Sequence, residues 1–86
     1  MESYKVLIRR SAADELAQIP KKDMRRIVER IRSLGSDPRP TGCEKLSAQE
    51  RYRVRQGDYR IVYSIDDEGK MIEIVKIGHR SEIYRR

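Results

Sequence analysis

The sequence predicts a single α+β domain in which two N-terminal helices pack on one face of a four-stranded sheet, and three observations carry that prediction. Apolar residues recur at every second position, then at three- and four-residue spacing, then at every second position again, which orders the elements strand, helix, helix and three strands. A chain of 86 residues that is 37% apolar fills one small core and leaves nothing for another, so one domain is expected to span residues 1–86. Between Arg51 and Tyr63, RYRVRQGDYRIVY alternates on both sides of Gly57-Asp58, the pattern of two strands joined by a tight turn.

Tyr4 to Arg9 alternates and reads as the first strand, with Tyr4, Val6 and Ile8 on one face. Ser11 followed by Asp14 has the form of a capping box, after which Ala12, Leu16 and Ile19 share a helical face up to Pro20, which either sits in a turn or opens the next helix. Met24, Ile27, Val28, Ile31 and Leu34 then mark the strongest helix, ending at Gly35. Its flank of Lys21, Lys22, Arg25, Arg26, Arg30 and Arg32 is either a solvated surface or a partner surface. Ser36 to Gln49, with Pro38, Pro40 and Gly42, has no period and reads as a surface connection anchored only by Leu46.

In the hairpin, a two-residue loop at Gly57-Asp58 sets Arg55 opposite Arg60, Val54 opposite Ile61, Arg53 opposite Val62 and Tyr52 opposite Tyr63. One face is then apolar, and the other carries Arg51, Arg53, Arg55 and Arg60. Like charges opposed across a ladder repel, so this face either receives an anion or is a solvated surface. Asp66 to Gly69 forms a turn before a fourth strand, Met71 to Ile77, whose parity breaks: Ile72 and Ile74 point one way, Val75 and Ile77 the other. That implies a bulge or a central strand covered on both faces.

The net charge of +6, with arginine supplying most of the twenty cations, calls for an anionic partner and favours bidentate phosphate contact. A single cysteine, Cys43, allows no intrachain disulfide. No leader-like or membrane-spanning apolar run occurs, so the cytoplasm is the expected location and no membrane partner is expected. One histidine and one cysteine do not make a zinc site, no GxxxxGK[ST] cradle is present, and Ser81 beside His79 lacks the third group of a triad. No metal or cofactor is expected.

What remains is the basic hairpin and the tail GHRSEIYRR, with His79, Arg80 and Tyr84. Together they suit metal-independent cleavage of RNA, which needs cations for the phosphorane charge, a base for the ribose 2′-hydroxyl and an acid for the departing 5′-oxygen. Histidine, with an ordinary pKa near 6.5, suits proton transfer, and tyrosine near 10 suits an acid or a positioning group. A lone histidine near a terminus is equally read as a surface residue.

The run YRVRQGDYRIVYSIDDEGKMIEIVKIGHRSEIY, preceded by LIRRSAADELAQIPKKDMRRIVERI, resembles the RelE side of the RelE/ParE superfamily of bacterial toxins over nearly the whole chain, most specifically in GDYRIVY and GHRSEIY. The resemblance implies a four-stranded, largely antiparallel sheet with two N-terminal helices. It also implies the toxin of a type II toxin-antitoxin system, cleaving mRNA on the ribosome, neutralised by a cognate antitoxin protein and meeting operator DNA only as the toxin-antitoxin complex. Arg60 matches the family's arginine held to stabilise the transition state, Arg80 its C-terminal arginine and Tyr84 its near-terminal tyrosine. Arg51 and Arg53 stand where some members have lysines; with Arg55 and Lys45 they are expected to bind substrate. His79 adjoins the arginine where other members use histidine for proton transfer, so His79 and Tyr84 are both candidates for that step. Two alternatives stay open: a ParE-like, non-enzymatic gyrase inhibitor, and a degenerate toxin that only binds its antitoxin.

Overall fold

In the computed structural model, which describes residues 3–46 and 50–79, β4 (Tyr59–Asp66) runs through the middle of one sheet and the other elements are laid against it. In chain order these are β1 (Lys5–Ile8), α1 (Arg10–Ala17), α2 (Lys21–Ser36), β2 (Glu44–Leu46) and β3 (Arg51–Gln56), with β5 (Met71–His79) following β4. The sheet order is β1-β5-β4-β3-β2, with β1 parallel to β5 and every other pair antiparallel. The expected α+β class therefore holds, with five strands instead of four. The extra strand, β2, lies inside the segment read as a plain connection. Three residues are too few to show alternation, and pairing with β3 supplies what local sequence does not. Leu46 is only half-buried there, and Cys43 packs against the core from this segment instead.

The capping box does not form. α1 starts at Arg10 with extended Arg9 as its N-cap and no side-chain cap bond, and Ala12 is its fully buried contact. Pro20 takes the N-cap of α2, where its missing N–H costs nothing, and its carbonyl accepts the Met24 N–H at 2.8 Å. α2 buries Ile27, Ile31 and Leu34 on the sheet. Gly35 lets the helix end approach β1: a Cβ there would sit 3.1 Å from the Tyr4 carbonyl oxygen, and the Tyr4 N–H donates to the Gly35 carbonyl at 2.7 Å. Arg30 departs from the exposed flank expected of it, being half-buried with its Nε enclosed and without a hydrogen-bond partner.

The β3–β4 register is the expected one, pair for pair. Tyr52, Val54, Ile61, Tyr63 and Ile65 turn towards the helices, where Ile72, Ile74 and Ile77 of β5 join them. These three share a face because of a bulge: Val62 pairs with Lys76 and Tyr63 with Ile74, leaving Val75 without a partner. Of the two explanations for the broken parity, the bulge is the one realised. Tyr63 is fully enclosed, stacks on Tyr52 at 5.9 Å and donates its hydroxyl to the Pro38 carbonyl at 2.7 Å, fastening the 36–43 connection to the sheet.

Candidate functional site

The hairpin register that sends Tyr52, Val54, Ile61 and Tyr63 into the core sends Arg51, Arg53, Arg55 and Arg60 to the face opposite α1 and α2. Alternate residues on a strand lie ~7 Å apart and paired positions ~5 Å, so four guanidinium groups start from one small patch of backbone. Arg60 is 6% exposed and the one charged side chain that is buried among the described residues. The sequence reading treats it as an exposed strand position. Its ladder partners are Arg55 on one side and Gly78 on the other, and Gly78 has no side chain to crowd the guanidinium. One amino group donates to the Tyr59 carbonyl at 3.4 Å. A cation removed from water in this way is favoured by a nearby negative charge, and a water-excluded guanidinium acts on such a charge more strongly than a solvated one.

The cluster includes a carboxylate that sequence reasoning missed. Glu44 stands opposite Arg53 on β2 and accepts a hydrogen bond from Arg53 Nε at 3.0 Å. That bond, then the charge of Arg53 and, more weakly, those of Arg55 and Arg60, hold the Glu44 carboxyl below the usual carboxylate range. Arg53, Arg55 and Arg60 thus act as one electrostatic group at Glu44. The only sequence signal for it was an acid two residues before a lone leucine.

Lys45 is not brought to this face. It pairs with Tyr52, so it projects to the opposite side of the sheet, and its ammonium lies 3.5 Å from Glu50. His79 also opens to the helix side: it pairs with Tyr59, meets that ring edge-on at 5.6 Å, and lines a cleft with Glu15, Gln18 and Ile19. It is nevertheless the residue after Arg60's partner Gly78, so the two are neighbours along the sheet that face opposite ways. Arg80 and Tyr84 lie outside the described residues.

The profile of the family described as "ParE toxin of type II toxin-antitoxin system, parDE" matches residues 6–84. The chain belongs to this toxin family. Toxin RelE of Mycobacterium tuberculosis is 37% identical over 84 residues, covering 95% of this chain and 87% of that protein. Toxin RelG of the same organism is 31% identical over 85 residues, covering 96% and 98% respectively. In the crystal structure of the archaeal RelE-RelB complex from Pyrococcus horikoshii OT3, the matched chain has 32% identity and a TM-score of 0.83, with 98% of this chain and 99% of that one covered.

A different arginine serves the toxin fold itself. Arg39 places its two amino groups 3.2 and 2.9 Å from the carboxylate oxygens of Asp67, donates Nε to the Tyr52 hydroxyl at 3.3 Å and lies over the Tyr52 ring. Tyr4 donates to the same carboxylate at 2.7 Å. Hydrogen bonds from Arg39 first and Tyr4 second hold the Asp67 carboxyl down to about 2. This network joins the 36–43 connection, the β4–β5 turn and the start of β1.

Proposed function

We propose that this toxin is a metal-independent endoribonuclease that cleaves mRNA on the ribosome and is held inactive by a cognate antitoxin, its complex with which meets operator DNA. The observation that supports this most directly is a buried Arg60 set among Arg51, Arg53 and Arg55 on the sheet face opposite the two helices. The reaction is attack of a ribose 2′-oxygen on the adjacent phosphorus with departure of the 5′-oxygen; a base takes the 2′-proton and an acid returns one to the leaving oxygen. Arg60 is placed to meet the charge that develops on the phosphorane oxygens, the kind of contact whose removal costs ~10²–10³ in rate. Arg51, Arg53 and Arg55 bind the flanking phosphates, and Arg53 does so by exchanging Glu44 for a phosphate. His79 and Tyr84 are the proton-transfer candidates. His79 serves that role for a substrate that reaches the end of β5, where it stands beside Tyr59. Arg80 adds charge beside it. The antitoxin is expected to bring an acidic amphipathic segment to this face, its acids meeting the arginines.

The test is to incubate the purified toxin with programmed ribosomes and mRNA in parallel with a gyrase supercoiling assay. Cleavage with untouched gyrase supports the proposal. Gyrase inhibition without cleavage would replace it with the ParE-like reading, and inactivity in both with a toxin that only binds its antitoxin.

A further inference from the structure

β1 ends at Ile8, which pairs with Ile74, and its last bond to β5 is the Arg9 N–H to the Ile74 carbonyl at 2.9 Å. Among the described residues, β5 from Val75 onward has a strand neighbour on one side only, and the bulge falls at this same point. A bulged, one-sided strand end lacks the ladder that normally fixes direction. Here the free side is closed by a side chain: Glu15 of α1 accepts the Ile77 N–H at 2.8 Å with one carboxylate oxygen and the Lys76 ammonium at 2.9 Å with the other. The ion pair is between partly exposed groups and is screened by salt, whereas the bond to the Ile77 amide is part-buried and directional.

We propose that Glu15 is a positioning residue for the cleavage site, a proposal that rests on the ribonuclease reading above. Its carboxylate replaces the missing neighbour strand and fixes the last residues of β5. Those residues include Gly78, beside Arg60, and His79, beside Tyr59, and the chain passes from them directly to Arg80. α1 thereby fixes where Gly78 and His79 stand at the end of β5. What the role requires is an acceptor oxygen at the right reach. The charge is secondary.

Three variants separate reach from charge. Glu15→Gln keeps the length and an acceptor oxygen; Glu15→Asp keeps the charge but is one methylene short; Glu15→Ala has neither. Amide hydrogen exchange at Ile77 reads the positioning without reference to activity, and single-turnover cleavage across ribosome concentrations separates the chemical step from binding. For Glu15→Ala and Glu15→Asp, exchange at Ile77 is expected to rise ~10-fold and the maximal cleavage rate to fall ~10-fold, with half-saturation moving less than ~2-fold. Glu15→Gln is expected to recover both to within ~3-fold. Should Glu15→Ala be unstable, the Asp and Gln pair decides alone. Wild-type cleavage by Glu15→Asp, or a Gln variant as slow as the Asp variant, overturns the proposal. Absence of cleavage by the wild-type toxin defeats the ribonuclease reading instead. In that case unchanged Ile77 exchange in Glu15→Asp would defeat the positioning role as well.

Discussion

Arg39 and Arg60 belong to the same small sheet domain and are used in opposite ways. Arg39 sits at the end of the sheet near the β4–β5 turn, partly in solvent, with Asp67, Tyr4 and Tyr52 gathered around it. Arg60 sits at the hairpin end, enclosed, on a strand face it shares with Arg51, Arg53 and Arg55 and, across on β2, with Glu44. Where the charge is matched by a carboxylate the arginine ties loops together. Where four arginines share a face with the carboxylate of Glu44, positive charge outnumbers negative among the described residues, and an incoming anion would reduce the excess. An excess of that kind opposes folding and is the sort of local conflict that binding or catalytic sites carry.

The contrast breaks most visibly at Arg60. Arg60→Met, which fills the volume without the charge, is expected to lower the single-turnover cleavage rate ~10²–10³-fold. Its melting temperature should stay within ~4 °C of wild type; a normal rate would take Arg60 out of the mechanism. Arg39→Ala should do the reverse: a melting temperature lower by ~4–8 °C, with cleavage at low temperature changed less than ~2-fold. An inactive but equally stable Arg39 variant would erase the distinction. Glu44→Gln sharpens it, because releasing Arg53 should tighten single-stranded RNA binding ~3-fold or more and steepen the log–log salt dependence by ~0.7 from a wild-type slope of about −3. Weaker binding would mean that Glu44 holds Arg53 in its productive position.

The smallest effect concerns acid. Asp67 has a carboxyl held at about 2 against an ordinary 3.8, so the stability it contributes is complete above its unfolded pKa and is lost as pH falls through about 2. Unfolding of Asp67→Asn, followed between about pH 5 and 2, should therefore fall less steeply with acid than that of wild type. Identical slopes would show that the Arg39–Asp67 pair is too well solvated to matter.

The hairpin was readable because its alternation, its turn residues and its apolar face all specify one register. β2 was not, since three residues beside Pro and Gly carry no periodic signal and form a strand only through β3. Arg60's enclosure was equally invisible: alternation assigns a face and says nothing of depth. The long-range partners of Arg39 and Glu15 could not be inferred either, for Asp67 and Ile77 lie far along the chain and no local pattern selects them. The broken parity at Ile74 and Val75 is visible in the sequence, but the residue that the bulge leaves unpaired is not. Without the unpaired Val75, His79 would share parity with Glu73 and open onto the arginine face; with it, His79 opens beside α1.

The same geometry bears on how the chain survives before any partner covers it. β1 ends the sheet with Leu7 and Ile8 each 41% exposed, an edge on which a second copy could add a strand and start aggregation. The exposure is confined to a strand of four residues, bracketed by Lys5 on one side and by Arg9 and Arg10 on the other. Two such edges brought together bring Lys5 and Arg10 of both copies close, while Arg9 keeps Glu73 at 3.4 Å. Basic composition at an edge of this kind discourages a protein from pairing with itself.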